Sequence, residues 1–400
     1  MQNKIIVWAA AGLLLTGCMD MDAPFAPENL NRLTVTAVYP AGFETRSGAT
    51  VTIENIAGGI SYSILTGDDA KATVTLPGGI YRVAVSDRDG LDVFNGNRDR
   101  VVVSGQDVSV SLDLVHSRAG MLVIKEIYCG GCPKTPEQGT YQSDQYVIVH
   151  NNSDVITYLD GLCMGSVAPY NSNANNAWAA ADGTLPDFLP ILDAIVRIPG
   201  TGTSFPLDPG QDAVIALRGA IDHAATYPLS VNLNKPDYFV LYNPTYFYNQ
   251  TYHPAPGNLI QQDHYLDVVI KTGQSNAYTL SLNSPAFVLF QAQDVDIRDW
   301  VLQPGVVRNT PGSSIQMATI PPEWVIDGVE VFNGSSADNH KRLLPSIDAG
   351  YVVLSETFKG HTLMRRTNLE ASAQKGYEML MDSNNSSNDL YESETQSLHE

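Results

Sequence analysis

The sequence predicts an all-β protein, and three observations carry that expectation. Short runs of apolar residues alternate one-for-one with polar ones, the period of a strand with one buried face. Turn formers are frequent, with 32 Gly and 23 Pro in 400 residues, and many fall between those runs. Strand-like runs are not interleaved with helical stretches, which argues against a parallel α/β sheet. A hydrophobic fraction of 44% supplies a sizeable core and excludes a wholly disordered chain. Length suggests two to three domains at about 150 residues each.

The alternation is most regular over residues 33–117. Leu33, Val35, Ala37 and Tyr39 share one face of a first strand, separated by Thr34, Thr36 and Val38. Val51 with Ile53, Val74 with Leu76, and Tyr81 with Val83 and Val85 continue the pattern. Val108, Val110, Leu112 and Leu114 close it, and turns such as Asp68-Asp69 and Ser104-Gly105-Gln106-Asp107 separate the runs. The expectation is a small β-sandwich of about seven strands. Residues 120–390 form a second, larger β unit. Its expected strands are Met121–Tyr128, Asp144–His150, Tyr158–Leu162, Ala213–Leu217, Ala286–Phe290, Asp294–Trp300, Trp324–Phe332 and Gly350–Leu354. Residues 391–400 read as a polar tail.

The N-terminus carries an address. Met1 to Lys4 precede an apolar run, Ile5 to Leu15, too short to cross a bilayer, which takes about 20 residues. The run ends in Leu15-Thr16-Gly17-Cys18. Small residues before a thiol that can accept a diacylglycerol resemble the bacterial lipoprotein signal. Residues 1–17 are then the signal peptide and Cys18 the lipidated first mature residue. Two or three acyl chains, palmitate among them, anchor stably where one would not. Residues 18–32 form an acidic tether. Its Met19-Asp20-Met21-Asp22-Ala23-Pro24 resembles the acidic export signal of Bacteroidota lipoproteins, although Asp20 and Asp22 are not contiguous. That resemblance implies an outer-membrane protein, lipid-anchored and facing the cell exterior.

Two further resemblances cover the rest. Ala72-Thr73-Val74-Thr75-Leu76-Pro77-Gly78-Gly79-Ile80-Tyr81-Arg82-Val83 resembles the regulatory-like sandwich of carboxypeptidases, a spacer and docking unit. Lys125-Glu126-Ile127-Tyr128, Asn151-Asn152-Ser153-Asp154, Tyr158-Leu159-Asp160-Gly161-Leu162 and Pro209-Gly210 resemble the lamin-tail class of immunoglobulin-like sandwich. With Asp144-Gln145-Tyr146 and Asn384-Asn385-Ser386-Ser387-Asn388-Asp389 they resemble an uncharacterised Bacteroidota surface lipoprotein family. Such lipoproteins commonly accompany TonB-dependent outer-membrane transporters, which the resemblance implies as a partner.

Chemistry is largely missing from the sequence. The formal net charge is −20, so nucleic acid, whose phosphates demand Lys and Arg, is excluded as a partner. HExxH, GxSxG and a Walker lysine loop are absent. Gly200-Thr201-Gly202-Thr203 starts like a dinucleotide loop but lacks the third glycine. The eight histidines include no pair at ligand spacing, so no metal and no cofactor is expected. Asp294 and Asp296 lie on one face of an expected strand, where solvated carboxylates are the ordinary reading and calcium the sharper one. Once Cys18 is lipidated, Cys129, Cys132 and Cys163 remain as candidates for one structural disulfide. Cys129–Cys132 and Cys132–Cys163 both stay open.

One positive signal is aromatic. Tyr238, Phe239, Tyr242, Tyr246, Phe247, Tyr248 and Tyr252 crowd a short stretch that Pro244 and Pro254 interrupt. Proline cannot donate to a sheet ladder, so part of this stretch is expected to be a loop. Tyr246, Phe247, Tyr248 and Tyr252 are the candidate binding residues, because exposed rings offer rigid contact area for protein or sugar. The competing reading places the rings in the core. The loop from Ser166 to Gly183, with Tyr170 and Trp178, is a candidate neighbour. The expectation is therefore a non-enzymatic surface lipoprotein that binds ligand for, or caps, a TonB-dependent transporter. A stand-alone module binding glycan or peptide, or acting as an adhesin, is the alternative.

Overall fold

The computed structural model describes residues 30–57, 60–89, 92–334 and 338–399. The signal segment, Cys18 and the tether through residue 29 lie outside the described residues. No described helix is long and apolar enough to cross a membrane.

Alternation produces strands because it gives each strand one face to bury. Asn31–Val38 buries Leu33, Val35 and Ala37 and leaves the residues between them partly exposed. It lies at the centre of a three-stranded sheet, antiparallel to Lys71–Leu76 and parallel to Val108–Asp113. The companion sheet has five antiparallel strands in the order Ser61–Leu65, Thr50–Asn55, Gly79–Asp89, Asp92–Val103 and Val115–Arg118. Leu33, Val35, Val51, Ile53, Tyr81, Val83, Phe94, Val110 and Leu112 fill the space between the two sheets.

Residues from Leu122 onward build two larger sheets. The first has six strands, ordered Phe239–Val240, Asp212–Ala216, Tyr146–Asn151, Leu122–Tyr128, Thr362–Arg365 and Leu390–Ser393. The second runs Val307–Asn309, Gln316–Ile320, Leu189–Arg197, Cys163–Val167, Ala286–Phe290, Val325–Asn333 and Val352–Leu354, with Asp267–Lys271 also paired to Leu189–Arg197. Ile127, Val147, Met164, Val196, Phe287 and Val329 meet between the sheets. The outer face of the second sheet is also covered: Val167, Ile191, Ile195, Val288 and Phe290 pack against Ile297 and Trp324. Burial on both faces explains why Ala286–Phe290 reads as an unbroken apolar run.

Two expected strands are corrected. Asp294–Trp300 turns into the short helix Ile297–Trp300, because Asp294 takes φ of +60° and Asp296 accepts a 2.8 Å bond from the Arg298 N–H as its N-cap. Leu159 to Leu162 form a turn between Thr157–Tyr158 and Cys163–Val167. There the backbone N–H groups of Gly202, Ser204 and Phe205 donate to the Asp160 carboxylate at 2.8–2.9 Å. Burial raises this carboxyl, but the three donors outweigh it and hold the group below the usual range. The glycine run thus wraps a carboxylate of its own chain. At Gly200, with φ of +120°, a Cβ would come within 2.1 Å of Asp160 Oδ1, so only glycine fits.

A buried guanidinium ties the larger sheets together. Arg365 donates to Asp327 Oδ2 at 2.5 Å and to the Ile124 carbonyl at 2.8 Å. It also faces Asp382 at 3.5 Å and Asp389 at 3.6 Å. One positive charge serves three buried carboxyls. Burial pushes Asp327 and Asp389 up, to about 7 and about 6, against the pull of Arg365. The 382–389 loop held this way also grips the N-terminal sandwich. Asn95 Nδ2 donates to the Ser383 carbonyl at 2.9 Å, and Asn384 Nδ2 donates to Ser117 Oγ at 2.8 Å.

Asp327 and Asp389 bind protons more tightly folded than unfolded, where an aspartate titrates near about 3.9. Their contribution to stability is complete below about pH 4 and is lost as pH rises through about 6–7. The melting temperature of Asp327→Asn should therefore fall less between those limits than that of the wild type; equal slopes would clear this carboxyl of the effect. At pH 7, urea unfolding of Arg365→Met should show a loss of about 3–5 kcal/mol, since three buried carboxyls lose their counter-charge.

Candidate binding site

The aromatic stretch is mostly loop. Within it Phe239–Val240 is the one described strand, and Asn243 starts a turn in which the Tyr246 and Phe247 N–H groups donate to its carbonyl at 3.2 and 2.8 Å. The turn sends neighbouring rings in opposite directions. Tyr246, Tyr248 and Tyr252 are exposed, at 43, 66 and 41%, whereas Phe247 is fully buried. Phe247 is therefore corrected from contact residue to core: its ring meets Tyr278 at 5.9 Å and His253 at 5.4 Å. Tyr252 lies beneath the Arg218 guanidinium at 5.3 Å, and Arg218 is fixed by a 2.7 Å bond to the Gln142 carbonyl.

Phe247 leads into a cleft beside this loop. The strand Leu189–Arg197 changes partner along one edge: Leu189 to Ile191 pair with Gln316–Ile320, and Ala194 to Arg197 pair with Asp267–Lys271. Asp193 stands at the gap with φ of +59°, its carbonyl accepting from the Thr272 and Gly273 N–H groups at 2.7 and 3.0 Å. A split in a sheet edge leaves a space, here a cleft of about 210 Å³. Leu192, Ile315 and Met317 give it apolar walls, and Tyr170 and Tyr278 give it rings. Ser275 Oγ donates to one Asp193 oxygen; Lys271 Nζ stands 3.6 Å from the other. Burial pushes the Asp193 carboxyl up despite both neighbours. The loop containing Asn249 is bonded to the cleft's own loop, since the Asn249 N–H donates to the Asn276 carbonyl at 2.9 Å.

Sequence reasoning did not find Asp193, Ser166 or Tyr278 as site residues. The available signal was one aspartate inside the apolar run Leu189–Arg197. Tyr170, named only within a neighbouring loop, bonds the Leu280 carbonyl at 2.9 Å and lines the cleft. Trp178 instead stacks edge-on against Phe188.

The expected disulfide is corrected as well. Cys129, Cys132 and Cys163 are free, buried thiols. Cys129 Sγ points to the Leu282 carbonyl at 3.6 Å, and Cys132 Sγ points to Asp144 Oδ2 at 3.6 Å. Cys163 lies in the outer core of the second sheet, whereas Cys129 lies in the core between the sheets. Burial pushes all three thiols up to about 12, which leaves them weakly reactive.

Other polar clusters are largely engaged by their own neighbours, although Asp144 Oδ1 makes no bond. Ser230 Oγ donates to Asp144 at 2.6 Å, while His223 Nε2 bonds the Gly219 carbonyl at 2.7 Å and Nδ1 meets the Tyr141 hydroxyl at 2.6 Å. Serine and histidine are thus committed to different partners. His150, Asp212 and Glu378 bring their ligand atoms within 4.8 Å of one another, the geometry of a cation site. Lys125 Nζ already lies between the carboxylates, 2.6 Å from each, and His150 Nδ1 is 2.6 Å from Asp212. Burial works to raise Asp212, but the bonds from His150 and Lys125 prevail and hold it low. Lys125 is thus a cation that both carboxylates share.

Residues 208–397 match the model of a family described as protein of unknown function (DUF4876). The motifs between Lys125 and Leu162 lie outside that stretch; the Asn384–Asp389 motif lies inside it. The chain is similar to a DUF4876 family protein from Bacteroides thetaiotaomicron VPI-5482, with a TM-score of 0.56 and 24% identity over 90% of this chain and 94% of that one. This likeness shows a shared all-β fold. Only partial likenesses extend to the Bacillus anthracis TIE protein (TM-score 0.18, 15% identity, 30% of this chain and 27% of that one) and to a streptococcal ancillary pilin (TM-score 0.18, 12% identity, 46% and 50%). No curated protein matches the sequence.

The neighbouring rings separate structure from surface. Phe247→Ala should cost about 3–5 kcal/mol in urea unfolding, the price of emptying a buried aromatic site. Tyr248→Ala should stay within about 0.5 kcal/mol of the wild type. Similar losses for both would place Tyr248 in the core.

Proposed function

We propose that this chain is a member of the matched family and a non-enzymatic, lipid-anchored protein of the outer membrane. Facing the cell exterior, it binds ligand as the accessory partner of a TonB-dependent transporter. The observation that carries this reading is the edge formed by Tyr246, Tyr248 and Tyr252, three exposed rings on one anchored loop. Buried Phe247 holds that loop to the core, and Arg218 links it to the sheets by donating to the Tyr252 carbonyl at 3.2 Å and the Gln142 carbonyl at 2.7 Å. Rigid, amphipathic rings lose little entropy on contact, which suits them to a partner surface. Cys18 and the acidic tether support presentation at a membrane surface. The separate commitments of Ser230 and His223 support the absence of hydrolytic chemistry. A second reading, a stand-alone glycan-binding surface module, is favoured by the cleft beside the same loop.

Palmitate labelling should mark the wild type and vanish in Cys18→Ala; a labelled variant would end the lipoprotein assignment. Detergent capture of the native protein should bring down an outer-membrane β-barrel. The Tyr246→Ala/Tyr248→Ala protein should recover at least about tenfold less of it, at an unchanged melting temperature. Equal recovery by both proteins would exclude this edge as the docking surface.

A further inference from the structure

We infer that the cleft at Asp193 is a binding site for an uncharged, polyhydroxylated ring, the chemistry of a terminal pyranose of a glycan. The inference deepens the ligand-binding reading above and rests on it.

Three polar atoms in this one cleft lack a well-formed hydrogen bond: Ser166 Oγ and Tyr278 OH, which have only each other nearby, and Asp193 Oδ1, whose cation Lys271 stands 3.6 Å away. Ser166 and Tyr278 are only 7 and 2% exposed, so neither hydroxyl can turn freely to bulk solvent. Two buried hydroxyls with bonding capacity to spare, beside a carboxylate oxygen held only by a distant ammonium, point to a ligand that completes their bonds. Two further polar groups of the lining are already used, while the Gln274 and Gln316 amides stand beside them. Tyr170 OH bonds the Leu280 carbonyl, and Thr279 Oγ1 bonds Gln145 Oε1 at 3.1 Å.

Charge then selects the ligand class. Asp193 is the charged residue among those lining the cleft, and the Lys271 ammonium at 3.6 Å balances it. An anionic ligand would meet the carboxylate, and a cationic one would compete with an ammonium already in place. Either would bring an unbalanced charge into a poorly solvated site. A neutral ligand adds none. Its donors must include one for Asp193 Oδ1, and it must exchange hydrogen bonds with two hydroxyls that can each donate or accept. Adjacent ring hydroxyls meet both demands.

Shape agrees. The volume of about 210 Å³ lies below the roughly 300–1,000 Å³ of pockets for drug-sized ligands, so one ring enters and a longer chain stays outside. The C–H face of that ring finds Leu192, Met317 and the Tyr170 ring, and Tyr170 is itself 41% exposed at the mouth. Further units of the same glycan would leave toward the loop that carries Tyr246 and Tyr248.

The test is titration of the full-length protein with neutral methyl glycosides of glucose, galactose and mannose, read by saturation-transfer NMR and calorimetry. Glucuronate and glucosamine serve as the anionic and cationic probes. At least one neutral glycoside should bind with Kd in the range of about 0.1–10 mM. Tyr278→Phe and Ser166→Ala should each weaken it about five- to tenfold, at an unchanged melting temperature. Asp193→Asn, which keeps a side chain that tolerates the left-handed backbone, should do the same. The inference falls if no neutral glycoside binds, if a charged probe binds more tightly, or if binding ignores all three variants. Should one variant unfold, the other two still decide. If sugars fail to bind while Tyr246→Ala/Tyr248→Ala still loses the barrel, this inference alone is overturned. If both results are negative, the ligand-binding reading falls with it.

Discussion

Arg365 is the contact on which the larger architecture depends. Its guanidinium, buried beside the strand Leu122–Tyr128, reaches Asp327 in one sheet and Asp382 and Asp389 in the loop that closes the other. A charge removed from water is tolerated only when its partners are placed around it, so burial of Arg365 depends on that loop presenting its carboxylates. Asp389 then accepts from the Ser383 N–H and hydroxyl at 2.8 Å each. The same loop hands its carbonyls to Asn95. Through one side chain, the two large sheets and the N-terminal sandwich are brought into register.

A second buried pair plays a similar part at the other end. Arg342 and Glu330 are both inaccessible and 2.6 Å apart. Glu330 accepts three further bonds, from the Arg342 and Leu343 N–H groups and from Arg342 Nε, all at 2.8–2.9 Å. Burial raises this carboxyl, but Arg342 and Lys341 outweigh it and keep it low. Arg342 also donates to the Pro169 and Ser284 carbonyls at 3.1 and 2.8 Å, which pins the long loop after Val167. Tyr170 follows directly in that loop. The wall of the cleft is therefore positioned by an ion pair whose members never touch the cleft.

The contrast between these saturated clusters and the Asp193 cleft gives the cleft its meaning. Around Arg365, Arg342 and Lys125, carboxylates and cations are engaged with each other, and such networks specify a fold. At Asp193, by contrast, a strand changes partner, the backbone turns left-handed, and hydroxyls keep bonding capacity to spare. Local departures of this kind gather where a protein handles something other than itself.

Legibility followed the range of the interaction. Alternation over Leu33, Val35 and Ala37, or over Val108, Val110 and Leu112, reports a buried face through near neighbours, so the all-β class was readable in the chain. Pro244 and Pro254 forbade a continuous strand, and the aromatic stretch is accordingly loop. Phe247 went astray because a turn at Asn243 decides which adjacent ring points inward, and its choice of Tyr278 as a neighbour is set 31 positions away. The thiols went astray because spacing says nothing of which face of a sheet Cys163 occupies. The sequence by itself determined the all-β class and most of the strands and turns, since these depend on residues within a few positions. Only the tertiary structure decided that Ser166, Asp193 and Tyr278 share one cleft. Their convergence requires three separate segments to meet where a sheet edge changes partner, and no local pattern encodes that meeting.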